Sequence, residues 1–213
     1  MKNCVLVLML LLIIIGNTFA EENRVRKKYI NLSFSKNELK HDNFLTLKSN
    51  YGIAFTVGRT YFVHKKPILN MIRFGIDATW FDINYTNYKL NFLSTNQYSP
   101  TETSNYHQAD IGMQVGPSIT VNPISKLNVQ GYFRFAPSFS GIYLDDQFYG
   151  NYASFFVSGG TISFGVIGLG IEYHFGNCKY KEMLSSDEDE VAETFINNKT
   201  TFKGVRTCLS FRF

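Results

Sequence analysis

Apolar and polar residues alternate along most of this chain. In one stretch Ile111, Met113 and Val115 form an apolar row, with Gly112 and Gln114 between them. A period of two places successive side chains on opposite faces of a β-strand. A soluble, half-buried strand would show the same pattern, so the interpretation depends on how often the pattern recurs.

The alternation recurs in eight segments, which predict eight strands. Their bounds are 28–36, 51–63, 70–86, 107–121, 127–143, 152–164, 167–176 and 201–213. In the sixth segment we expect a β-bulge at Gly159-Gly160 to shift the phase. Arg59 continues the apolar row of the second segment. Either a bulge near Gly58 or a position at a membrane rim, where its charge reaches water, would accommodate it.

The connectors between these segments differ regularly in length. Those after the second, fourth and sixth segments are short (64–69, 122–126 and 165–166), and the others are longer (37–50, 87–106, 144–151 and 177–200). Short turns on one rim, long loops on the other and an even strand count are typical of outer-membrane barrels. The predicted fold class is therefore all-β: an eight-stranded antiparallel transmembrane β-barrel with short periplasmic turns and long extracellular loops.

Residues 152–171 permit a different interpretation, because they include no charged residue. Hydropathy alone would favour a transmembrane helix. The segment holds five glycines, however, and alternates strictly from Ile167 onward. These features favour a strand, a tight turn and a second strand.

The first twenty residues have the three parts of a secretory signal. Lys2 supplies a positive start, Val5 to Ile15 is an apolar run, and Thr18-Phe19-Ala20 ends it with small residues at alternate positions. Such a run is too short to span a bilayer. We expect residues 1–20 to be a cleaved signal peptide and residues 21–213 to be the barrel domain, exported to the outer membrane of a Gram-negative bacterium.

Composition supports strands and argues against nucleic acid as a partner. Aromatic residues make up 16% of the chain, and the formal net charge is only +4, without a long basic cluster. The expected surroundings are outer-membrane lipids, with the protein as a monomer. After cleavage Cys178 and Cys208 remain, and two cysteines favour unpaired thiols over a disulfide framework.

The polar rows carry charged residues, and in a barrel these face the lumen. The six candidates are Arg73, Asp77, Asp110, Arg134, Glu172 and Arg206. Eight strands enclose a space just wide enough to be filled by side chains. Because an unpaired charge there would be costly, we predict that these residues pair with one another and close the lumen.

The last long loop is strongly acidic, with Asp187, Glu188, Asp189 and Glu190 in succession. A solvated loop is the default interpretation of such a run. Binding of divalent cations or of a basic partner is the alternative. We expect this loop and the Tyr-rich loop at 85–106 to form the ligand-facing surface, because function in such scaffolds concentrates in loops.

The final residues, Cys208-Leu-Ser-Phe-Arg-Phe213, resemble the C-terminal assembly signal of outer-membrane barrels, with Leu209, Phe211 and Phe213 at alternate positions. Segments 58–67 and 72–77 resemble Bacteroidota outer-membrane β-barrel proteins, and the architecture is similar to the OmpX and OmpA barrel class. The resemblance implies the outer-membrane assembly machinery as a partner. It does not choose a function, since that class includes adhesins, anchors and enzymes.

Catalytic and metal chemistry have little support. Glu172 and His174 share a face and could belong to a hydrolase, but inward-facing side chains with satisfied hydrogen bonds are the simpler interpretation. The histidines show no metal-ligand spacing, and no cofactor is implied. We expect a non-enzymatic barrel with a closed polar lumen and a loop-mediated surface role. The alternatives are a narrow channel or transporter for small solutes and a lipid-modifying barrel enzyme.

Overall fold

The computed structural model describes residues 26–41, 45–91, 103–124, 126–144, 147–184 and 199–213. The expected signal peptide, residues 1–20, and the acidic residues 187–190 lie outside these ranges. Among the described residues, no helix has both the length and the apolar character needed to cross a membrane.

Nine strands follow one another along the chain. They are β1 (Lys28–His41), β2 (Leu45–Phe62), β3 (Ile72–Asn91), β4 (Thr103–Ile124), β5 (Leu127–Leu144), β6 (Gln147–Phe164), β7 (Ile167–Lys179), β8 (Lys181–Leu184) and β9 (Lys199–Arg212). All neighbouring strands are antiparallel, and β8 extends the wall beyond β7 by pairing with β6. The wall therefore has eight strand positions, which confirms the predicted eight-stranded antiparallel barrel. The alternative of a helix over residues 152–171 is wrong.

Pairing between the first and last strands closes the barrel. The ladder between β1 and β9 runs without interruption from Tyr29 opposite Arg212 to His41 opposite Thr200. A closed sheet has no edge, so the backbone N–H and C=O groups of the wall find partners within it.

The two rims differ in height. The connections β2–β3, β4–β5 and β6–β7 form the rim that we call the short-turn rim. At the opposite rim, the tall rim, the β1–β2 ladder continues to His41 opposite Leu45, and the β3–β4 ladder to Asn91 opposite Thr103. Parts of all four predicted long loops are therefore strand: 37–41, 45–50, 87–91, 103–106, 147–151, 177–179 and 181–184. Only residues 42–44 separate β1 from β2, and only 145–146 separate β5 from β6, so these two connections are not long as predicted.

The outer surface carries an apolar band. Large apolar side chains are exposed on every face of the wall, among them Leu32, Ile53, Phe74, Met113, Phe133 and Leu169. Polar residues that alternate with them, such as Asn31, Thr56 and Gln114, are buried in the interior. This arrangement is the reverse of a soluble barrel and is typical of a barrel that faces hydrocarbon.

One bulge changes which residues face inward. In β3, Trp80 and Phe81 are both exposed on the outer surface, and the pairing with β2 and β4 shifts at this point. The extra residue reverses the phase of the strand. As a result Asp82 points into the lumen.

The prediction of a bulge at Gly159-Gly160 is wrong. The pairing of β6 with β5 and with β7 runs through both glycines without a shift. A Cβ on Gly159 would lie 2.6 Å from the backbone oxygen of Ile171, and one on Gly160 would lie 2.9 Å from that of Gln130. These glycines allow close contact between neighbouring strands. In the sequence they interrupt the alternation of side chains, as a bulge would, so the sequence alone does not distinguish the two roles.

The closing pair of strands can be tested with a native cysteine. Ser33 on β1 lies directly opposite Cys208 on β9. Directly opposed residues have Cα atoms about 4.5–5.5 Å apart, within the range of a disulfide. The variant Ser33→Cys is therefore expected to form a disulfide with Cys208 during folding in an oxidising compartment, as measured by mass spectrometry of non-reduced peptides.

Ser35→Cys is the matched control, because Ser35 lies opposite Arg206 and is diagonal to Cys208. Its Cα is about 7–8 Å from that of Cys208, too far for a disulfide. Equal cross-linking of both variants, or of neither, would contradict the β1–β9 register.

Candidate functional site

The lumen near the short-turn rim is organised around the carboxylate of Asp77. Tyr29 Oη donates a hydrogen bond to it at 2.5 Å, Gln130 Nε2 at 2.7 Å and Thr60 Oγ1 at 3.2 Å. These donors come from β1, β5 and β2, so the carboxylate joins strands around the barrel. Hydrogen bonds to a charged group are worth about 1.5–3 kcal/mol each.

Arg134 links Asp77 to a second carboxylate. Its guanidinium lies 3.5 Å from Asp77 Oδ2 and 3.4 Å from Glu172 Oε1. It also lies over the ring of Tyr132, 3.5 Å from the centroid, while Tyr132 Oη donates to Glu172 at 2.7 Å. All of these side chains are buried. A single cation thus forms ion pairs with two carboxylates, one on β3 and one on β7.

A second ion pair joins this network through an amide. Arg206 Nη1 lies 3.2 Å from Asp82. Gln114 donates to Asp82 at 2.7 Å and accepts a hydrogen bond from Arg134 at 2.9 Å. The bulge at Trp80-Phe81 is what places Asp82 here, and the consecutive aromatic residues were the sequence signal that could have revealed it.

Asp110 is held separately by uncharged donors. Its carboxylate accepts hydrogen bonds from Ser140 at 2.5 Å, Asn84 at 2.8 Å and Gln108 at 3.0 Å. Gln108 in turn accepts from Tyr88 Oη at 2.8 Å. No ion pair to Asp110 is present among the described residues.

The structure brings together four of the six residues predicted for the lumen network: Asp77, Arg134, Glu172 and Arg206. Asp110 is inside the barrel, but it accepts hydrogen bonds from a separate set of uncharged side chains. Arg73 does not join the charges as predicted, because its guanidinium lies over the ring of Phe62 at the short-turn rim, 5.3 Å from the centroid. The side chains of Asp82 and Arg212 are buried as well, and sequence reasoning did not assign them to the network. Arg212 donates to Gln130 and to Thr161.

The lumen near the tall rim holds mainly aromatic and aliphatic side chains, which corrects the expectation of a polar interior throughout. Buried residues here form a cluster that we call the aromatic plug. Its main members are Leu39, Leu47, Tyr88, Tyr106, Ile142, Tyr149, Phe155, Tyr180 and Phe202. The outward positions at the same height include the exposed Lys36, Lys40 and Lys48. Polarity is therefore inverted relative to the rest of the barrel.

Glu172 and His174 are not arranged for hydrolysis. Glu172 is engaged by Tyr132 and Arg134, as described above. His174 lies edge-on between Phe155 and Phe202, with ring centroids 4.8 and 5.0 Å away, and is buried. In the described part of the chain, no group of three or more His, Cys, Asp and Glu side chains could hold a metal ion.

The remaining predicted residues lie in the wall or outside the described ranges. Leu209 and Phe211 pair with Leu32 and Ile30 of β1 and with Leu169 and Ile167 of β7, at the closure of the barrel. Phe213 follows them and exchanges backbone hydrogen bonds with Lys28. The acidic residues Asp187, Glu188, Asp189 and Glu190 are not described.

Both described cysteines are unpaired and buried. Cys178 lies opposite Thr200, and Cys208 lies opposite Gly170 on the same pair of strands. Eight residues of strand separate Thr200 from Cys208, which corresponds to about 26 Å. The two thiols are too far apart to form a disulfide with each other.

Comparison with known proteins supports the fold. No family model and no curated protein matches the chain. Solved structures do match. The outer-membrane protease OmpT of Escherichia coli has a TM-score of 0.52 and 9% identity, over 88% of this chain and 97% of that chain. Neisserial surface protein A has a TM-score of 0.48 and 14% identity, over 87% and 97%.

Ail of Yersinia pestis matches with a TM-score of 0.37 and 8% identity, over 89% of this chain and all of that chain. The likeness to OmpT, at 9% identity, shows the fold alone, that of an outer-membrane β-barrel. These proteins do not support the narrower expectation of a Bacteroidota origin.

The central ion pairs predict a large effect of removing Arg134. The variant Arg134→Gln leaves Asp77 and Glu172 buried without their shared cation, which is expected to destabilise the barrel by about 3–5 kcal/mol. Urea unfolding in lipid vesicles or detergent measures this change. Lys40→Gln, an exposed lysine on β1, is the control and is expected to change stability by less than about 0.5 kcal/mol. Similar effects of the two substitutions would contradict the role given to Arg134.

Proposed function

We propose that this protein is a non-enzymatic integral protein of the outer membrane of a Gram-negative bacterium, with a closed interior and a surface role for its long loops. The apolar band of the outer surface supports the membrane location, because such a band is stable only against hydrocarbon. The short-turn rim then faces the periplasm, and the tall rim faces the cell exterior.

The observation that carries the proposal is that buried side chains in contact with one another lie in the interior at two levels. Near the short-turn rim, the network around Asp77 and Arg134 crosses the lumen between strands β1, β2, β3, β5 and β7. Near the tall rim, the aromatic plug fills the lumen with apolar side chains. A hydrated solute would have to break the first and displace the second.

The same packing supports a role without catalysis. OmpT is described as a protease, but likeness in fold does not carry that activity to this chain. The candidate pair here, Glu172 and His174, is enclosed by Tyr132, Phe155 and Phe202. A lipid or peptide would not reach these side chains without opening the barrel.

The tall wall favours a role at the cell surface. The strands extend past the apolar band, with lysines outside and the aromatic plug inside, as in a soluble protein. We propose that the external partner binds at this rim, and that the acidic residues 187–190, which the sequence predicts to be in its last loop, take part in the contact.

Electrical recording tests the closed lumen. The full mature chain, reconstituted in planar bilayers, is expected to give no stable conductance, with an open porin in the same bilayers as the positive control. Stable, protein-dependent conductance steps would contradict the proposal and would favour a narrow channel for small solutes.

A further inference from the structure

Seven cationic residues surround one corner of the short-turn rim, where β1, β2 and β3 meet. They are Arg26, Lys27, Lys28, Arg59, Lys65, Lys66 and Arg73. The described residues at this corner, 26–30 and 58–75, include no acidic side chain. We call this group the basic corner. Its charges repel one another, and no carboxylate side chain of the corner compensates for them.

Two of these cations are directly opposed across neighbouring strands. Lys28 on β1 pairs with Arg59 on β2, and both occupy outward positions. Directly opposed residues have Cβ atoms about 4.5–5.5 Å apart, and like charges at that separation are destabilising. In addition, Arg59 Nε is enclosed and makes no hydrogen bond to any described residue. An anion placed between the two side chains would relieve this repulsion.

Two of the cations lie against aromatic rings, Arg59 on the outer surface and Lys27 at the lumen side of the rim. Arg59 lies over the ring of Tyr61 at 5.2 Å, and Lys27 lies over that of Phe62 at 5.9 Å. Tyr61 packs edge-on against Trp80, with ring centroids 6.4 Å apart, and Trp80 is exposed in the middle of the band. Charge and apolar surface are therefore continuous here, an arrangement that suits an amphipathic ligand.

We propose that the basic corner binds an anionic phospholipid, with its phosphate between Lys28 and Arg59 and its acyl chains along Tyr61 and Trp80. A guanidinium can bind phosphate oxygens with two parallel hydrogen bonds. The surrounding cations repel the ammonium of a zwitterionic headgroup, so the preferred ligand has a phosphate and no amine, as in phosphatidylglycerol. The lipid site rests on the proposed function in one respect: the orientation of the barrel in the outer membrane, which places this lipid in the periplasmic leaflet.

Native mass spectrometry of the full mature chain in detergent tests the site. The probes are phosphatidylglycerol and phosphatidylcholine with identical acyl chains. The wild-type protein is expected to bind phosphatidylglycerol more tightly than phosphatidylcholine. The double variant Lys28→Gln/Arg59→Gln is expected to lose about 30-fold in affinity for phosphatidylglycerol, from about fivefold for each cation near a lipid surface.

The matched control is Lys179→Gln/Lys199→Gln. Lys179 and Lys199 are also directly opposed and exposed, but they lie at the tall rim, beyond the apolar band. This variant is expected to bind as the wild type does. Heat-modifiable migration on a gel establishes that each variant is folded. If the double variant does not fold, the single variant Lys28→Gln is expected to show a loss of about fivefold.

Three results would overturn the proposal. They are equal affinity of the wild type for the two lipids, an equal loss in the control variant, and full displacement of phosphatidylglycerol by millimolar inorganic phosphate. The last would identify a site for aqueous anions. None of these results depends on which rim faces the periplasm or on whether the lumen conducts, so they leave the proposed function untouched.

Discussion

A β-sheet whose outer face contacts hydrocarbon must leave no backbone group unpaired. This constraint closes the wall through the ladder between β1 and β9, and closure in turn creates an interior that only side chains can fill. The polar side chains at every second position of each strand face this narrow lumen, where their hydrogen-bond and ion-pair partners come from other strands. The network in which Arg134 joins Asp77, Glu172 and Gln114 follows from this requirement, since each of these groups would be costly if left alone.

The same constraint explains why polarity inverts along the barrel. Where the outer face is apolar, the interior is polar and paired by charge. Toward the tall rim the outer positions carry lysines, and the interior holds the aromatic plug, as expected of a wall surrounded by water. The chain thus combines two ways of stabilising a barrel in one continuous set of strands. Both place buried side chains in the lumen, and on that ground we propose a surface and envelope role over transport.

Sequence alone predicts the fold because its main signal is local. The period of two and the alternating connector lengths are sufficient for the strand count and for the direction of the apolar rows. The interior is harder to predict, because it depends on phase and on partners far apart in sequence. One extra residue at Trp80 moved Asp82 into the network. Arg73 has the correct phase, but it lies near the end of its strand, where an aromatic ring was a closer partner than a carboxylate.

The tall half of the barrel could not be predicted from a rule that assigns apolar residues to the outside. Leu39 and Leu47 are apolar residues that face the interior. A single sequence does not show at which height of the barrel apolar residues change from the outer face to the inner face. Glycines gave a similar ambiguity. Gly159 and Gly160 permit close approach of neighbouring backbones, although they interrupt the side-chain pattern as a bulge would.

The most direct test of the account uses Trp80, the only tryptophan of the chain, which is exposed on the outer surface. In vesicles made with lipids brominated along their acyl chains, the fluorescence of Trp80 is expected to be strongly quenched, whereas aqueous acrylamide is expected to quench it little. Efficient quenching by acrylamide without quenching by the brominated lipids would show that the apolar band does not face hydrocarbon, and would contradict the account.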